Sequence, residues 1–161
     1  MRTAIGQDSH RFEEQGSDKP LMLGGVYIPD CPGLAGNSDA DVILHAITNA
    51  ISGISGQNIL GTISDRLCLD QGITDSAVYL KYALDTLREY RLRHVSISVE
   101  CRRPKLSPHI DSIKKHLGIL LNLESSSIGL TATTGEGLTA FGRGEGVQAL
   151  VIATAQRVSA E

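Results

Sequence analysis

The sequence predicts a single-domain α/β sandwich with helices covering one face of a sheet. Three observations carry that expectation. Val95, Ile97, Val99 and Cys101 alternate with Ser96, Ser98 and Glu100, the period-two pattern of a half-buried strand. Ile43, Ile47, Ala50, Ile51 and Ile54 recur at helical spacing. Strand-like and helix-like segments then alternate along 161 residues, a length that suits one domain over 1–161.

The elements follow in order. Arg2–His10 is short and reads as extended. Leu21–Pro29 (LMLGGVYIP) reads as two short strands around Gly24-Gly25, a hairpin signal. Asp30–Asn37 carries turn residues and is expected to be a loop. Ser38, with Asp41 three residues on, has capping-box-like spacing before the first helix. Asp41, His45, Asn49 and Ser52 form its polar stripe, and Gly53–Gly56 should stop it. Gln57–Thr74 is polar and irregular, so a loop with at most one helical turn is expected there, and long loops are often functional. Asp75-Ser76 can cap a second helix with Tyr79, Tyr82, Ala83, Leu87 and Tyr90 on one side. Arg102–Pro108 is a loop, and a third helix starts near Pro108 and runs to about Leu121. Ile128–Thr134 is a strand. Val147–Thr154 is apolar at nearly every position, which predicts a central strand buried on both faces.

Composition narrows the function classes. The chain is 41% hydrophobic and 20% charged, as in ordinary globular proteins. With 4% aromatic residues and no Trp, the core must be aliphatic. A net charge of -3 argues against a nucleic-acid binder but leaves room for a local anion site. The three cysteines, at 31, 68 and 101, form no CxxC pair, which speaks against a cysteine zinc site and for a reducing compartment. No apolar run approaches the roughly 18 residues of a membrane span, and MRTAIGQDSH lacks the apolar stretch of a signal peptide. The expected location is the cytoplasm, or a plastid if a presequence is absent from this chain.

Asp8 and His10 are two apart on an extended segment, so they project from one face. With His45 they can supply three protein ligands and leave one position open, the pattern of a catalytic zinc site. That open position suits a phosphate oxygen, which a metal would polarise. The residues alone leave blander readings open: Asp8 as a turn cap, His10 exposed, His45 on a helix surface. Thr131–Gly146 (TATTGEGLTAFGRGEG) offers hydroxyls, approachable backbone amides and the Glu136 carboxylate, or else a plain Gly-rich turn. Glu100–His109 (ECRRPKLSPH) is a Pro-stiffened loop that can present backbone groups to a planar ligand, or else an exposed basic connector.

These segments occur together in the order of a known family. D-S-H at 8–10, L-G-G-V-x-I-P at 23–29, S-D-A-D-V-I-L-H-A at 38–46, R-P-K-L-S-P-H-I at 103–110, and T-A-T-T-G-E-G-L with F-G-R-G-E-G at 131–146 resemble the 2-C-methyl-D-erythritol 2,4-cyclodiphosphate synthases from end to end. The resemblance implies an α+β two-layer fold, a mixed four-stranded sheet with helices on one face. It also implies a homotrimer with its sheets facing the trimer centre. Asp8, His10 and His45 would match the zinc ligands, with Ser9 between the first two also at the substrate. Asn37 and Ser38 would stand at the phosphate-contacting position. Ala132, Thr133, Thr134, Gly135 and Glu136 would match the segment at the diphosphate and its second cation, Mg²⁺ or Mn²⁺. Thr134 and Asn37 take the catalytic roles on this reading. The loop Glu100, Cys101, Arg102, Arg103, Pro104, Lys105, Leu106 and Ser107 would grip cytosine. Asn58, Ile59, Leu60, Gly61 and Asp65 would match the loop at the erythritol phosphate and ribose, and Arg143 stands at the family's arginine. The implied active site lies between subunits, zinc from one and the cytidine pocket from its neighbour.

The implied reaction is cyclisation of 4-diphosphocytidyl-2-C-methyl-D-erythritol 2-phosphate with release of CMP, in the non-mevalonate route to isoprenoid precursors. Neither a nucleic acid nor a membrane is an expected partner. Asn37 and Asn49 depart from the family's usual His and Asp, and Asn49 is expected to weaken support for a metal-binding histidine. ISDRL at 63–67 replaces an acidic family stretch. Two alternatives use the same residues: a metal-dependent phosphohydrolase with water as nucleophile, and a trimeric binding protein of this scaffold without turnover.

Overall fold

A computed structural model describes residues 1–158, so 159–161, the end of the expected domain, lie outside the described residues. In chain order the elements are β1 (Arg2–Arg11), β2 (Pro20–Leu23), β3 (Val26–Pro32), α1 (Val42–Ser55), α2 (Thr62–Gln71), α3 (Ser76–Asp85), β4 (Tyr90–Glu100), α4 (Ile110–Leu121), β5 (Ile128–Thr133) and β6 (Gly146–Arg157). Four strands form a mixed sheet in the order β1-β6-β4-β5. β6 runs antiparallel to β1 and β4, while β4 and β5 are parallel. β2 and β3 make the expected separate hairpin, with Gly24 and Gly25 both at positive φ in its turn.

The sheet buries one face. Along β4 and β6 the inward residues Val95, Ile97, Val99, Val147, Ala149, Val151 and Ala153 are buried, and they alternate with exposed positions. This corrects the expectation for Val147–Thr154: the strand is central, but its outer residues Leu150 and Ile152 are exposed. Ile152 pairs in register with Ile5, which is 68% exposed, so a connected apolar patch lies on the open side of the sheet.

α1 packs on the inner face. Val42, Ile43, Leu44, Ala46, Ile47, Ala50 and Ile51 are all fully buried, an aliphatic surface wider than the predicted stripe. Its N-cap is Asp41 rather than Ser38. The Asp41 carboxylate accepts the Ile43 and Leu44 N–H groups at 3.1 Å each, and the hairpin-turn N–H groups of Gly24 and Gly25 at 2.9 and 2.7 Å. A short acceptor buried at a helix start serves both chain segments at once, which Ser38 is too far upstream to do. Burial pushes the Asp41 carboxyl up to about 6, against the pull of the Gly25, Leu44 and Gly24 N–H groups. Gly56, at φ 78, closes the helix by returning its N–H to the Ser52 carbonyl.

Gly6 sets how closely β1 approaches α1. A Cβ there would lie 2.0 Å from the Ala46 carbonyl oxygen and 2.4 Å from the Ala50 nitrogen. Asp8 and His10 share the inward face with Gly6, so this close approach brings them beneath the helix.

Elsewhere the structure adjusts the expectations. The stretch read as loop contains the ten-residue helix α2, which buries only Ser64 and Leu67 and so shows no apolar stripe to the reader of the sequence. α3 ends at Asp85, which leaves Tyr90 to begin β4, and Tyr82 is exposed rather than on the buried side. β3 runs on to Pro32, into the expected loop, and α4 starts at Ile110, two residues beyond Pro108. Among the described residues, no helix is long and apolar enough to cross a membrane.

A candidate metal centre between β1 and α1

Asp8 and His10 at the end of β1 meet His45 on the second turn of α1. The three offer one ligand atom each, all within 4.8 Å of one another. Asp8 Oδ2 lies 3.1 Å from His10 Nε2 and 3.1 Å from His45 Nδ1. Two ligands on a tetrahedral zinc, each about 2.0–2.1 Å from the ion, stand roughly 3.3 Å apart.

The remaining ring nitrogens decide what this corner can hold. His10 Nδ1 is 2.7 Å from the Ala35 carbonyl oxygen, an atom that only accepts, so Nδ1 carries the proton. His45 Nε2 is 2.8 Å from Ser76 Oγ. The Ser76 hydroxyl proton is directed to Asp39 Oδ1 in a short hydrogen bond, so His45 Nε2 must be the donor to Ser76. In the neutral state both histidines therefore turn a lone pair toward the Asp8 carboxylate. Two imidazole lone pairs and a carboxylate with no proton between them form a cradle for a cation. The residues fit a divalent ion of borderline softness with an open fourth position.

When the rings are protonated, their N–H groups point at the same carboxylate. Burial raises the Asp8 carboxyl, but hydrogen bonds and charge from His10 and His45 outweigh it and hold the group at about 2. The hydrogen bond to Asp8 raises His10 above its ordinary value, against burial.

Asn49 does not touch this network. Its side-chain amide donates to the Gln7 carbonyl at 3.0 Å and so ties α1 to β1. The expected loss of support for a metal-binding histidine through Asn49 thus finds no contact to act on, since the free nitrogen of His45 is served by Ser76. Neither Ser76 nor Asp39 was singled out from the sequence as part of the site. Ser76 meets His45 across 31 residues of sequence and Asp39 across 37, and both contacts depend on how α3 packs beside α1.

The other predicted residues form further groups. Ser9 points to the opposite face of β1 from Asp8 and is exposed. Asn37 is exposed and Ser38 half-buried just before α1; the Ser38 hydroxyl accepts the Ala40 N–H at 3.1 Å, and the Asn37 carbonyl accepts the Cys68 thiol at 3.2 Å. Asn58, Ile59, Leu60 and Gly61 lead into α2. There the Gly61 N–H donates to Ser64 Oγ at 3.0 Å, and Asp65 is exposed on the first turn. Arg143 pairs with Glu145 at 3.0 Å on the surface.

The loop after β4 and the turn after β5 are one unit. Cys101 N–H donates to the Thr133 carbonyl at 3.1 Å and Arg102 N–H to the Phe141 carbonyl at 3.0 Å. Glu100 accepts the Thr139 hydroxyl in a short hydrogen bond and lies against Gly135. Arg103 stacks over the Phe12 ring, 4.7 Å from its centroid, and Pro104 and Leu106 are at least partly covered while Lys105 and Ser107 are exposed. Ala132, Thr133, Thr134 and Glu136 are all exposed, with Glu136 at φ 51 between the positive-φ residues Gly135 and Gly137.

Arg103 and Phe141 of this unit reach back to Phe12 and His10, but the sheet sets the end of β5 apart from Asp8. Asp8 pairs with Ala149, Ala149 with Val99, and Val99 with Ala132. Three strand spacings separate the two edges, about 14 Å. Within one chain, Thr134 and Glu136 therefore stand across the sheet from Asp8.

Fold and site together define an α+β protein with a candidate three-ligand metal cradle between its edge strand β1 and α1, and an exposed loop cluster where β4 and β5 end. The chain belongs to the YgbB family, whose model matches residues 1–156. It is 46% identical over 154 residues, 95% of its length and 86% of the relative's, to the 2-C-methyl-D-erythritol 2,4-cyclodiphosphate synthase of Chlamydia trachomatis serovar L2b. Among solved structures it resembles the bifunctional IspDF of Campylobacter jejuni, with a TM-score of 0.87 at 31% identity, covering 98% of this chain and 42% of that one. It also resembles the CDP complex of IspF from Plasmodium falciparum, with a TM-score of 0.81 at 28% identity, covering 98% and 97% of the two chains.

Proposed function

We propose that the chain, as a single domain, converts 4-diphosphocytidyl-2-C-methyl-D-erythritol 2-phosphate to 2-C-methyl-D-erythritol 2,4-cyclodiphosphate and CMP, a phosphorus–oxygen lyase step in isoprenoid precursor synthesis. The observation that carries the reading is the set of lone pairs from Asp8, His10 and His45 turned on one point. The chlamydial relative at 46% identity supplies the reaction's name. Zinc on those three residues, when bound, would supply Lewis acidity to a phosphate oxygen at the open position.

The remaining work falls to the chain's own residues. The substrate's 2-phosphate oxygen forms a bond to the β-phosphorus as the bond to the α-phosphate oxygen breaks, and CMP leaves with that oxygen. The nucleophile is already anionic near neutral pH, so no general base is needed, and catalysis is positioning and charge neutralisation. Asn37 and Ser38, on the segment that leads into α1, hold the attacking end. Thr133 and Thr134 donate hydroxyl hydrogen bonds to the diphosphate, and Glu136 is the carboxylate that would hold a Mg²⁺ or Mn²⁺ beside it. Main-chain groups of Glu100–Ser107 grip cytosine, with Arg143 nearby. The α2 entry, Asn58–Gly61 with Asp65, takes the erythritol phosphate and ribose.

Two features support a trimer with shared sites. The roughly 14 Å between β1 and β5 is too far for one chain's Asp8 and Thr134 to hold the same diphosphate. The open apolar sheet face around Ile5, Leu150 and Ile152 fits a neighbour's equivalent face at a central axis. Free Cys31, Cys68 and Cys101 suit the reducing cytoplasm.

The test is product analysis. Zinc-loaded protein with the cytidyl substrate and Mg²⁺ should yield CMP and a cyclic diphosphate, visible by phosphorus NMR. Linear phosphate release instead, or no turnover, would overturn the assignment.

A further inference from the structure

We propose that Ser76 and Asp39 are a positioning pair that fixes His45 in the one tautomer able to ligate a metal through Nδ1; this rests on the metal-site reading above. His45 is buried, 8% exposed, so a ring nitrogen without a protein partner would be costly. Its Nε2 has Ser76 Oγ at 2.8 Å. A serine hydroxyl donates or accepts with equal ease, so alone it would not choose between the tautomers. Asp39 removes that freedom. Its Oδ1 takes the Ser76 hydroxyl proton and also the Asp41 N–H at 3.2 Å, and its Oδ2 takes the Ser76 N–H at 3.1 Å. The Asp39 backbone is held in turn, its own N–H donating to the Thr74 carbonyl at 2.8 Å.

With its proton committed to a carboxylate, Ser76 can only accept from His45. His45 Nε2 therefore carries the hydrogen directed at Ser76, and in the neutral ring Nδ1 keeps the lone pair that a cation shared with Asp8, 3.1 Å away, would take. His10 reaches the same condition by the opposite nitrogen, its Nδ1 proton held by Ala35. The site thus takes Nε2 from the strand histidine and Nδ1 from the helix histidine. The residue that dictates the second choice comes from α3, outside both elements that carry ligands.

The pair is separable from the ligand set because it meets His45 at Nε2, the nitrogen that is not turned to Asp8. Removing the Ser76 hydroxyl should leave the His45 ring free to tautomerise and to turn, and losing such a supporting hydrogen bond weakens metal binding by roughly 10–100-fold.

The experiment titrates zinc into the purified full chain against a chromophoric chelator. It compares wild type, Ser76→Ala and Ser76→Thr, and long-range proton–nitrogen correlation spectra of histidine-labelled, metal-free protein, recorded at a pH where the ring is neutral, report the tautomer. Wild type should show His45 protonated at Nε2. Ser76→Ala should bind zinc at least about tenfold more weakly and show a tautomer mixture. Ser76→Thr, which keeps the hydroxyl, should restore both, and if its extra methyl is not accommodated, the spectra of Ser76→Ala alone decide. Ser76→Ala with wild-type zinc affinity and an unchanged Nε2-protonated His45 would overturn the proposal and leave the metal site standing. Wild type that binds no zinc at these residues would overturn both.

Discussion

Substituting Gly6 tests whether the metal site is made by the approach of β1 to α1. In Gly6→Ala the new Cβ would sit 2.0 Å from the Ala46 carbonyl oxygen and 2.4 Å from the Ala50 nitrogen. Both are helix backbone atoms, so no side chain can turn aside. Restoring an ordinary contact of about 3.5 Å requires helix and strand to part by roughly 1.5 Å. Overpacking a core costs typically 1–3 kcal/mol, and with backbone on both sides the upper end, about 3 kcal/mol, is expected. The same displacement opens the 3.1 Å between Asp8 Oδ2 and His45 Nδ1. Metal–ligand distances tolerate only about 0.2 Å, so zinc affinity should fall by more than the roughly 10–100-fold that follows loss of a supporting hydrogen bond. Urea unfolding and a zinc competition titration measure the two effects separately. Gly6→Ala with wild-type stability and wild-type zinc affinity would refute the reasoning.

Other substitutions probe other parts of the account. His45→Ala should lose both bound zinc and CMP release, measured by metal analysis and product assay; full turnover without metal would contradict the ligand assignment. Glu136→Gln should keep its melting temperature and lose turnover, since Glu136 is exposed and bears on no core contact; activity that ignores Mg²⁺ concentration in both forms would count against its role. Asp41→Ala should destabilise the fold by about 3 kcal/mol in urea, because a lost cap costs about 1 kcal/mol and the stranded Gly24 and Gly25 N–H groups add 1–3 kcal/mol. For pH, the Asp8 carboxyl sits at about 2 in the fold against 3.8 in its absence. A depressed acid stabilises the fold above its unfolded value and ceases to do so as pH falls through the folded one. In metal-free protein the stability gap between wild type and Asp8→Asn should therefore shrink by about 2 kcal/mol from pH 4 to pH 2. His10 has the opposite sign: raised by Asp8, its contribution is complete below 6.5 and fades as pH rises through its folded value. A gap constant across both ranges would contradict the ion pairing.

The part of the site that depends on local geometry was legible in the sequence. Two-residue spacing puts Asp8 and His10 on one face of a strand whatever surrounds it, and helical spacing separates His45 from the apolar stripe of α1. What depends on packing was not legible. The Ser76–Asp39 pair meets His45 only because α3 lies against α1. α2 has no apolar stripe to announce it, because it buries little. Ser38 looked like a cap by spacing, while Asp41 takes the position because it can also satisfy the hairpin turn. An apolar run such as Val147–Thr154 reads the same whether its outer face meets helices or stands open, and here Leu150 and Ile152 are open.

Anomalous diffraction at the zinc edge, from crystals grown at saturating zinc, asks the decisive question directly. The account predicts one strong peak bonded to Asp8 Oδ2, His10 Nε2 and His45 Nδ1, with a fourth position left to solvent or phosphate. No peak there, with the three side chains turned away from one another, would contradict it.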